Sequence, residues 1–225
     1  LDGRPYFINR TGEFSFDHPY SEILGFDYND YSIVITDTKK YGVIDKTGRL
    51  LVDTIYKKIE SFSDGLAVVT GMNHKPYGKP KKVVLEIGVI NAAGQIIVPF
   101  GKYKEISNFK NGFATAELDV APQQGYYNHA AVIGTDGTER FVIPAKKWYL
   151  YYANDGFSSG LANIEIYKTD PEKIKQWSSD DSKTYIGTID SNGKIIHSDQ
   201  NWKGITPFHN GRAFVKEKEG WFLIN

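Results

Sequence analysis

Cysteine is absent from this chain of 225 residues, and so is net charge, because 27 basic and 27 acidic side chains cancel. Without cysteine there are no disulfide bonds, no thiolate metal sites and no cysteine nucleophiles. Without net charge the chain lacks the broad electrostatic footprint of proteins that bind nucleic acids or anionic membranes. No apolar run approaches the roughly 20 residues of a membrane helix. We therefore expect no nucleic-acid partner and no membrane span.

An initiator methionine is also missing, since the chain begins at Leu1. We expect a processed or truncated fragment, in which the lack of a targeting segment is uninformative. Proteins without disulfide bonds occur in every compartment, so the composition leaves the compartment open.

Aromatic residues are abundant, with 15 Tyr, 13 Phe and 4 Trp. Tyr in this number favours β-strands and surfaces that stack against ligands. Hydrophobic residues make up 40% of the chain, which is typical of a soluble globular protein with a sizeable core.

One pattern recurs five times: an aromatic residue, an aliphatic residue three positions later, then Phe, then a turn residue. The copies are Tyr20–Ile23–Phe26–Asn29, Tyr56–Ile59–Phe62–Gly65, Tyr103–Ile106–Phe109–Gly112, Tyr151–Asn154–Phe157–Gly160 and Trp202–Ile205–Phe208–Gly211. The last position holds Gly or Asn, which tolerate positive φ, so Gly65→Val is expected to be harmful. A spacing of three does not match strand alternation. We expect a bent or 3₁₀-like connector whose large side chains pack between neighbouring repeats.

A strand–turn–strand pattern precedes these connectors. In the clearest copy, Tyr41–Asp45 and Leu50–Val52 flank a turn that ends at Gly48. An Asp or Asn followed three residues later by Gly predicts a hairpin, because the Asx side chain bonds the turn backbone. A third strand follows each connector, as at Leu66–Val69.

The fold predicted from these patterns is an all-β tandem array of about five three-stranded hairpin repeats. The approximate units are 1–38, 39–72, 83–120, 126–168 and 183–225. An open, solenoid-like array is favoured, because Trp221–Asn225 starts a sixth hairpin strand while only five connectors exist, and because the units vary in length. A five-bladed β-propeller is the alternative.

These residues resemble the WG-repeat family of bacterial arrays. The family unit approximates Trp-Gly-x-Ile-Asp-x-x-Gly, then aliphatic residues, then Tyr-x-x-Ile-x-x-Phe-x-x-Gly-x-Ala. The resemblance covers nearly the whole chain, although Tyr41 and Ile87 stand where the family has Trp in the two best-matching units. It implies a non-catalytic interaction or surface-associated scaffold, and it favours an extracytoplasmic location (periplasmic, secreted or surface-anchored).

No pattern indicates catalysis, a metal site or a cofactor. The histidines, at positions 18, 74, 129, 197 and 209, lack metal-ligand spacing. Neither a G-x-S-x-G elbow nor a phosphate-binding loop is present. We therefore expect no enzyme activity, no cofactor and no metal.

An aromatic run from Trp148 to Tyr152 is the strongest candidate for binding. We single out Trp148, Tyr149 and Tyr152, joined by Tyr126 and Tyr127 of the preceding loop, as a platform that stacks on sugar rings or grips a peptide. Packing between repeats is the alternative role for these side chains. The leading hypothesis is a scaffold for a protein or peptide partner. The second is a carbohydrate- or cell-wall-binding module that uses exposed Tyr and Trp.

Overall fold

The computed structural model describes residues 8, 11–13, 18–26, 30–73, 84–118, 130–142, 148–150, 157–167, 184–199 and 201–225. All regular structure in these residues is β, and no helix occurs among them. The chain divides into two compact units, Leu1–Lys102 and Tyr103–Asn225. The all-β prediction is confirmed.

The described part of the first unit contains two antiparallel sheets of four strands each. Sheet 1 consists of β1 (Glu22–Phe26), β2 (Tyr31–Ile35), β3 (Tyr41–Asp45) and β4 (Leu50–Tyr56). Sheet 2 consists of β5 (Lys58–Ile59), β6 (Leu66–Asn73), β7 (Val84–Asn91) and β8 (Ile96–Val98).

The described part of the second unit contains three antiparallel sheets. Sheet 3 consists of β9 (Tyr103–Ile106), β10 (Phe113–Leu118), β11 (Ala130–Gly134) and β12 (Glu139–Val142). Sheet 4 consists of β13 (Trp148–Leu150), β14 (Leu161–Tyr167), β15 (Thr184–Asp190) and β16 (Ile195–Asp199). Sheet 5 consists of β17 (Gly204–Ile205), β18 (Ala213–Lys216) and β19 (Trp221–Ile224). In every described sheet, each strand pairs only with its neighbours in sequence, and no sheet closes into a barrel. The predicted array of small β-repeats is confirmed.

The connectors form strands, which differs from the bent or 3₁₀-like segment expected from the spacing of three. Ile59 of β5 pairs with Val69, and the equivalent strands β1, β9, β13 and β17 pair in the same way. A connector therefore adds a first strand to the sheet that follows it, so four of the five described sheets have four strands rather than three. The spacing of three gave a wrong prediction of a non-strand connector, because it suggests one continuous segment. In fact Tyr56 ends β4, Ile59 lies in β5 and Phe62 follows β5.

Two-residue hairpins join the first and second strands of sheets 2 to 5. The central pairs are Asp64–Gly65, Asn111–Gly112, Ser159–Gly160 and Asn210–Gly211, and all eight residues have positive φ. Two positive φ values in succession define a type I′ turn, whose twist matches that of the flanking strands. The positive φ expected at Gly65 is confirmed, at 77°.

The first repeat places its turn residue one position later than the sequence pattern suggested. Tyr31 pairs with Asp45 as Leu66 pairs with Asn91, so Asp30 occupies the place of Gly65. Asp30 has φ 62°, whereas Asn29 lies outside the described residues. The extra residue is accommodated by a register shift in β1, where Gly25 has φ 88°.

Within each unit, neighbouring sheets pack face to face through apolar side chains. In the first unit, one core combines Ile33, Val43 and Val52 of sheet 1 with Ala67, Val69 and Ile90 of sheet 2. The second unit has two such cores. The core between sheets 3 and 4 consists of Val132 from sheet 3 and Phe157, Ala162, Ile164 and Ile189 from sheet 4. The core between sheets 4 and 5 consists of Ile186 from sheet 4 and Ile205, Phe208, Ala213 and Val215 from sheet 5. We call each packed pair of faces a seam. Since Phe157 and Phe208 come from connectors, connector side chains help to fill the seams of the second unit.

The repeated aromatic residues are buried to different extents. The buried members are Tyr20, Tyr56, Tyr103, Phe109, Phe157 and Phe208. Phe26, Phe62 and Trp202 are half-buried, and Tyr151 lies outside the described residues. The ring of Phe62 packs beside Tyr31, with 5.8 Å between ring centroids, at the margin of the sheet 1–2 seam.

Replacing a buried connector phenylalanine should destabilise the protein more than replacing a half-buried one. We expect Phe109→Ala to lower the free energy of unfolding by about 3–5 kcal/mol and Phe62→Ala by about 1–2 kcal/mol, because the Phe62 ring already meets solvent. Denaturant titrations followed by circular dichroism measure both. A wild-type unfolding midpoint for Phe109→Ala would contradict the burial of the Phe109 ring.

Asx side chains organise the hairpins between the third and fourth strands. The Asp45 carboxylate accepts hydrogen bonds from the Thr47 hydroxyl at 2.6 Å and from the backbone N–H groups of Thr47 and Arg49 at 2.9 and 3.1 Å. The Thr47 hydroxyl bond is the main cause that lowers the pKa of Asp45 to about 2. Backbone hydrogen bonds from Thr138 and Lys194 likewise lower the pKa values of Asp136 and Asp190. Ionised carboxylates therefore stabilise three hairpins.

These shifts predict a loss of stability in acid. A carboxyl whose pKa is lower in the folded chain stabilises it above the unfolded pKa, near 3.8, and this contribution disappears as pH falls from about 4 towards 2. In the triple variant Asp45→Asn, Asp136→Asn and Asp190→Asn, melting temperature should fall less steeply across that range than in the wild type. Asn91→Asp is the matched control, since Asn91 makes the same turn with its amide oxygen, and it should steepen the fall. Parallel curves for all three proteins would refute the assignment.

Gly42 and Gly88 follow Tyr41 and Ile87 in the third strands of sheets 1 and 2, at points where another backbone approaches closely. A β-carbon on Gly42 would lie 2.6 Å from the carbonyl oxygen of Val52 and 2.7 Å from Cγ2 of Thr54. At the equivalent Gly88 it would lie 3.0 Å from the carbonyl oxygen of Val98. At Gly42 the register shift between Tyr41 and Val43 places the extra residues of β4 against the third strand.

Two glycine-to-alanine variants separate crowding from backbone strain. Gly65→Ala meets no atom within 4 Å and carries only the cost of positive φ, about 1–2 kcal/mol. Gly42→Ala collides with a backbone oxygen and should lower the unfolding free energy further, because β4 must move. Thermal melts of both variants test the order, and a smaller effect for Gly42→Ala would be inconsistent with the close approach.

Candidate functional site

The predicted aromatic platform falls largely outside the described residues. Trp148 and Tyr149 lie in β13, an edge strand of sheet 4, where they pair with Ile166 and Glu165. Tyr126, Tyr127 and Tyr152 lie outside the described residues. Whether these five residues bind a ligand stays a prediction.

Sheet 5 presents a different cluster of exposed apolar side chains. Phe214 pairs with Leu223 across β18 and β19, and Lys216 pairs with Trp221. Side chains of directly paired residues lie on the same face of a sheet, and residues two apart share that face. Phe214, Leu223 and Trp221 are 51%, 51% and 53% exposed. We call the face formed by Phe214, Lys216, Trp221 and Leu223 the sheet 5 surface.

The opposite face of β18 explains why these residues point outward. Ala213 and Val215 are buried in the sheet 4–5 seam, so the alternation of the strand directs Phe214 and Lys216 away from it. The register places Phe214 at the position of Ile33 and Val68 in sheets 1 and 2, both of which are buried. Phe214 therefore lies at the position of Ile33, whose side chain packs in the sheet 1–2 seam.

Charged groups border this apolar centre. The Lys216 ammonium lies 5.9 Å from the centroid of the Trp221 ring, within the range of a cation–π attraction. The exposed turn that joins β18 to β19 carries Lys218 and Glu219. An apolar centre with a charged border is typical of surfaces that bind other proteins.

Three histidines lie in the described residues, and two of them pack against connector rings. The His18 ring stacks on Tyr20 with 5.7 Å between centroids, and its Nδ1 accepts a hydrogen bond from the backbone N–H of Tyr20 at 3.2 Å. The His197 ring stacks on Phe208 at 6.3 Å. His209 lies at the exposed hairpin before Asn210. In the described part of the chain, no three acidic or histidine side chains converge as metal ligands, and no helix could cross a membrane.

Sequence reasoning assigned Trp221–Asn225 to a hairpin strand and gave it no binding role. A usable signal was nevertheless present. Phe222 stands at the position of Gly42 and Gly88, and Phe214 at a position that is aliphatic in sheets 1 and 2.

Comparison with known proteins finds a family match for two segments of the chain. The family model described as WG containing repeat matches residues 41–70 and 87–119, which confirms the resemblance seen in the sequence. Each matched segment runs from the third strand of one sheet to the second strand of the next, as from β3 to β6. Among curated proteins, no relative matches the sequence.

A solved structure of BamB from Moraxella catarrhalis is also similar to this chain. The two are 15% identical, and the match covers 94% of this chain and 72% of that one, with a TM-score of 0.32.

Proposed function

We propose that this chain, which carries WG containing repeats, is a non-catalytic scaffold that binds a protein or peptide partner through the sheet 5 surface. The observation that carries the proposal is the clustering of Phe214, Trp221 and Leu223, each about half exposed, on one face of a paired sheet. Isolated exposed apolar residues are ordinary, whereas a contiguous cluster bordered by charge is typical of an interaction site.

The sheet supports this role by holding the side chains in place. Four residue pairs connect β18 to β19 and hold Phe214 beside Leu223 and Lys216 beside Trp221. Little side-chain or backbone order would be lost on binding, and large aromatic side chains on a rigid base are the usual anchors of protein interfaces. The proposed location is extracytoplasmic, as the family resemblance favours.

Carbohydrate binding is the second candidate, and exposed Trp221 is the observation in its favour. Sugar rings stack on open faces of Trp and need polar partners at their rims. The neighbours of Trp221 on the sheet 5 surface include apolar Leu223 and Phe214, and Lys216 lies over its ring. A protein or peptide with apolar side chains suits this composition better than a sugar does.

A matched pair of double variants tests the proposal. Phe214→Ser with Leu223→Ser should abolish partner binding, because it removes the apolar centre from the sheet 5 surface. Leu24→Ser with Ile55→Ser is the control, since these residues of sheet 1 are 58% and 61% exposed. Crosslinking in bacterial envelope extracts, followed by quantitative mass spectrometry, should recover a defined protein with the wild type and the control. Its recovery should drop at least about tenfold with the sheet 5 variant, the loss that about 1.4 kcal/mol produces.

Three results would count against this function. Equal recovery of the same proteins by all variants would exclude the sheet 5 surface as the binding site. The absence of any reproducible protein would argue against a scaffold. Glycan-array binding that disappears in Trp221→Ala would favour the carbohydrate module instead.

A further inference from the structure

A row of three residues crosses each four-stranded sheet at equivalent positions of the second, third and fourth strands. The rows are Ile33–Val43–Val52 in sheet 1, Val68–Val89–Val98 in sheet 2, Thr115–Val132–Phe141 in sheet 3 and Asn163–Thr188–His197 in sheet 4. The central residue is a fully buried valine in sheets 1, 2 and 3. Sheet 4 alone among them has a polar residue at all three positions.

This polar row lies inside the protein. Thr188 is 0% and Asn163 is 7% exposed, and the two residues are direct partners across β14 and β15. The Asn163 amide Nδ2 donates a hydrogen bond to the carbonyl oxygen of Thr206 at 3.3 Å, so the row faces the connector of sheet 5. Within the described residues, the Asn163 Oδ1 and Thr188 Oγ1 atoms have no hydrogen-bond partner. A buried polar atom without a partner opposes burial rather than favouring it.

Directional contacts supplement apolar packing across this seam. The hydroxyl group of Ser158 donates a hydrogen bond to the carbonyl oxygen of Phe208. The hydroxyl oxygen of Ser159 accepts one from the backbone N–H of Gly211 at 3.4 Å. Such bonds set the register of the two sheets, but water replaces them readily when the sheets separate. Opening the seam also returns Asn163 and Thr188 to water, which favours the open state.

We propose that the sheet 4–5 seam is built to open locally, and that sheet 5 detaches from sheet 4 while sheets 3 and 4 stay packed. Opening the sheet 3–4 seam exposes Val132 and Ile164, both fully buried, and breaks the hydrogen bond from Asn111 Nδ2 to the Phe157 carbonyl oxygen, but it hydrates no unpartnered buried side-chain atom among the described residues. Opening the sheet 4–5 seam exposes the buried residues Ile186, Ile205, Phe208, Ala213 and Val215, but it also hydrates the two unpartnered atoms of the polar row. Proteins open in such cooperative parts according to the local balance of burial and hydration. Sheet 5 can therefore separate from sheet 4, whether or not the sheet 5 surface binds a partner.

Thr188→Val tests this proposal, because valine has nearly the volume of threonine and occupies the same position in sheets 1, 2 and 3. In native-state hydrogen exchange of the full chain, the β18 amides should exchange through a local opening that leaves β10 and β11 protected. Thr188→Val should slow β18 exchange by roughly tenfold, since it removes a buried unpartnered hydroxyl, and should leave β10 and β11 unchanged.

Val132→Thr is the mirror-image control in the sheet 3–4 seam. It should speed exchange in β10 and β11, as expected when a polar group enters an apolar row. If this variant does not fold, Val43→Thr makes the same change in sheet 1, where exchange in β2 and β3 provides the measurement.

The outcomes distinguish this device from ordinary fraying of sheet 5. Fast β18 exchange that Thr188→Val does not slow would indicate fraying and overturn the proposal. Exchange of β18 only through global unfolding, with the denaturant dependence of β10, would overturn it as well. Slower exchange in Thr188→Val together with faster exchange in the valine-to-threonine control would establish it.

Discussion

The packing of one sheet face against the next is the interaction on which the structure depends. A single sheet of three or four short strands leaves apolar residues on both faces, and it gains stability only when neighbours cover them. In the sheet 1–2 seam, Val43 and Val69 are fully buried although they belong to different sheets. In the second unit, Phe157 and Phe208 extend from connectors into the seams. Turns, bulges and Asx hydrogen bonds serve this packing by holding each strand in the register that presents the correct face.

Local chemistry made much of the fold predictable. Type I′ turns need two successive residues with positive φ. Pairs such as Asn111–Gly112 tolerate positive φ and therefore indicate these turns in the sequence. Asx turns such as that of Asp45 are equally local. The extra strand was not predictable, because Tyr56, Ile59 and Phe62 appear evenly spaced but belong to a strand, a second strand and a loop. The position of Asp30 depended on a register shift at Gly25, which only strand pairing reveals.

The candidate site was harder to predict than the fold, and the reason is physical. Phe214 and Val68 occupy equivalent positions, yet one is half exposed and the other is buried. No property of the residue itself distinguishes them; the difference lies in what covers the face. Sequence patterns report periodicity and turn chemistry, whereas exposure of a seam-type face is a non-local property of stacking. The aromatic run that begins at Trp148 was predicted to bind because of its composition. Composition indicates which residue types can stack on a ligand, but it does not indicate which side chains are exposed to solvent.

The matched family segments and the sheets are out of phase by two strands, and this offset has a consequence for how such chains lengthen. A segment such as 41–70 carries the closing half of one sheet and the opening half of another. If recombination duplicates one full repeat, from the start of β3 to the start of β7, each new copy completes the sheet before it and begins the sheet after it, so no half-built sheet is left in the interior. Deletion of a segment rejoins complementary halves in the same way. The gene can therefore gain or lose copies while every internal junction keeps its pairing, and copy number becomes adjustable without redesign of the core.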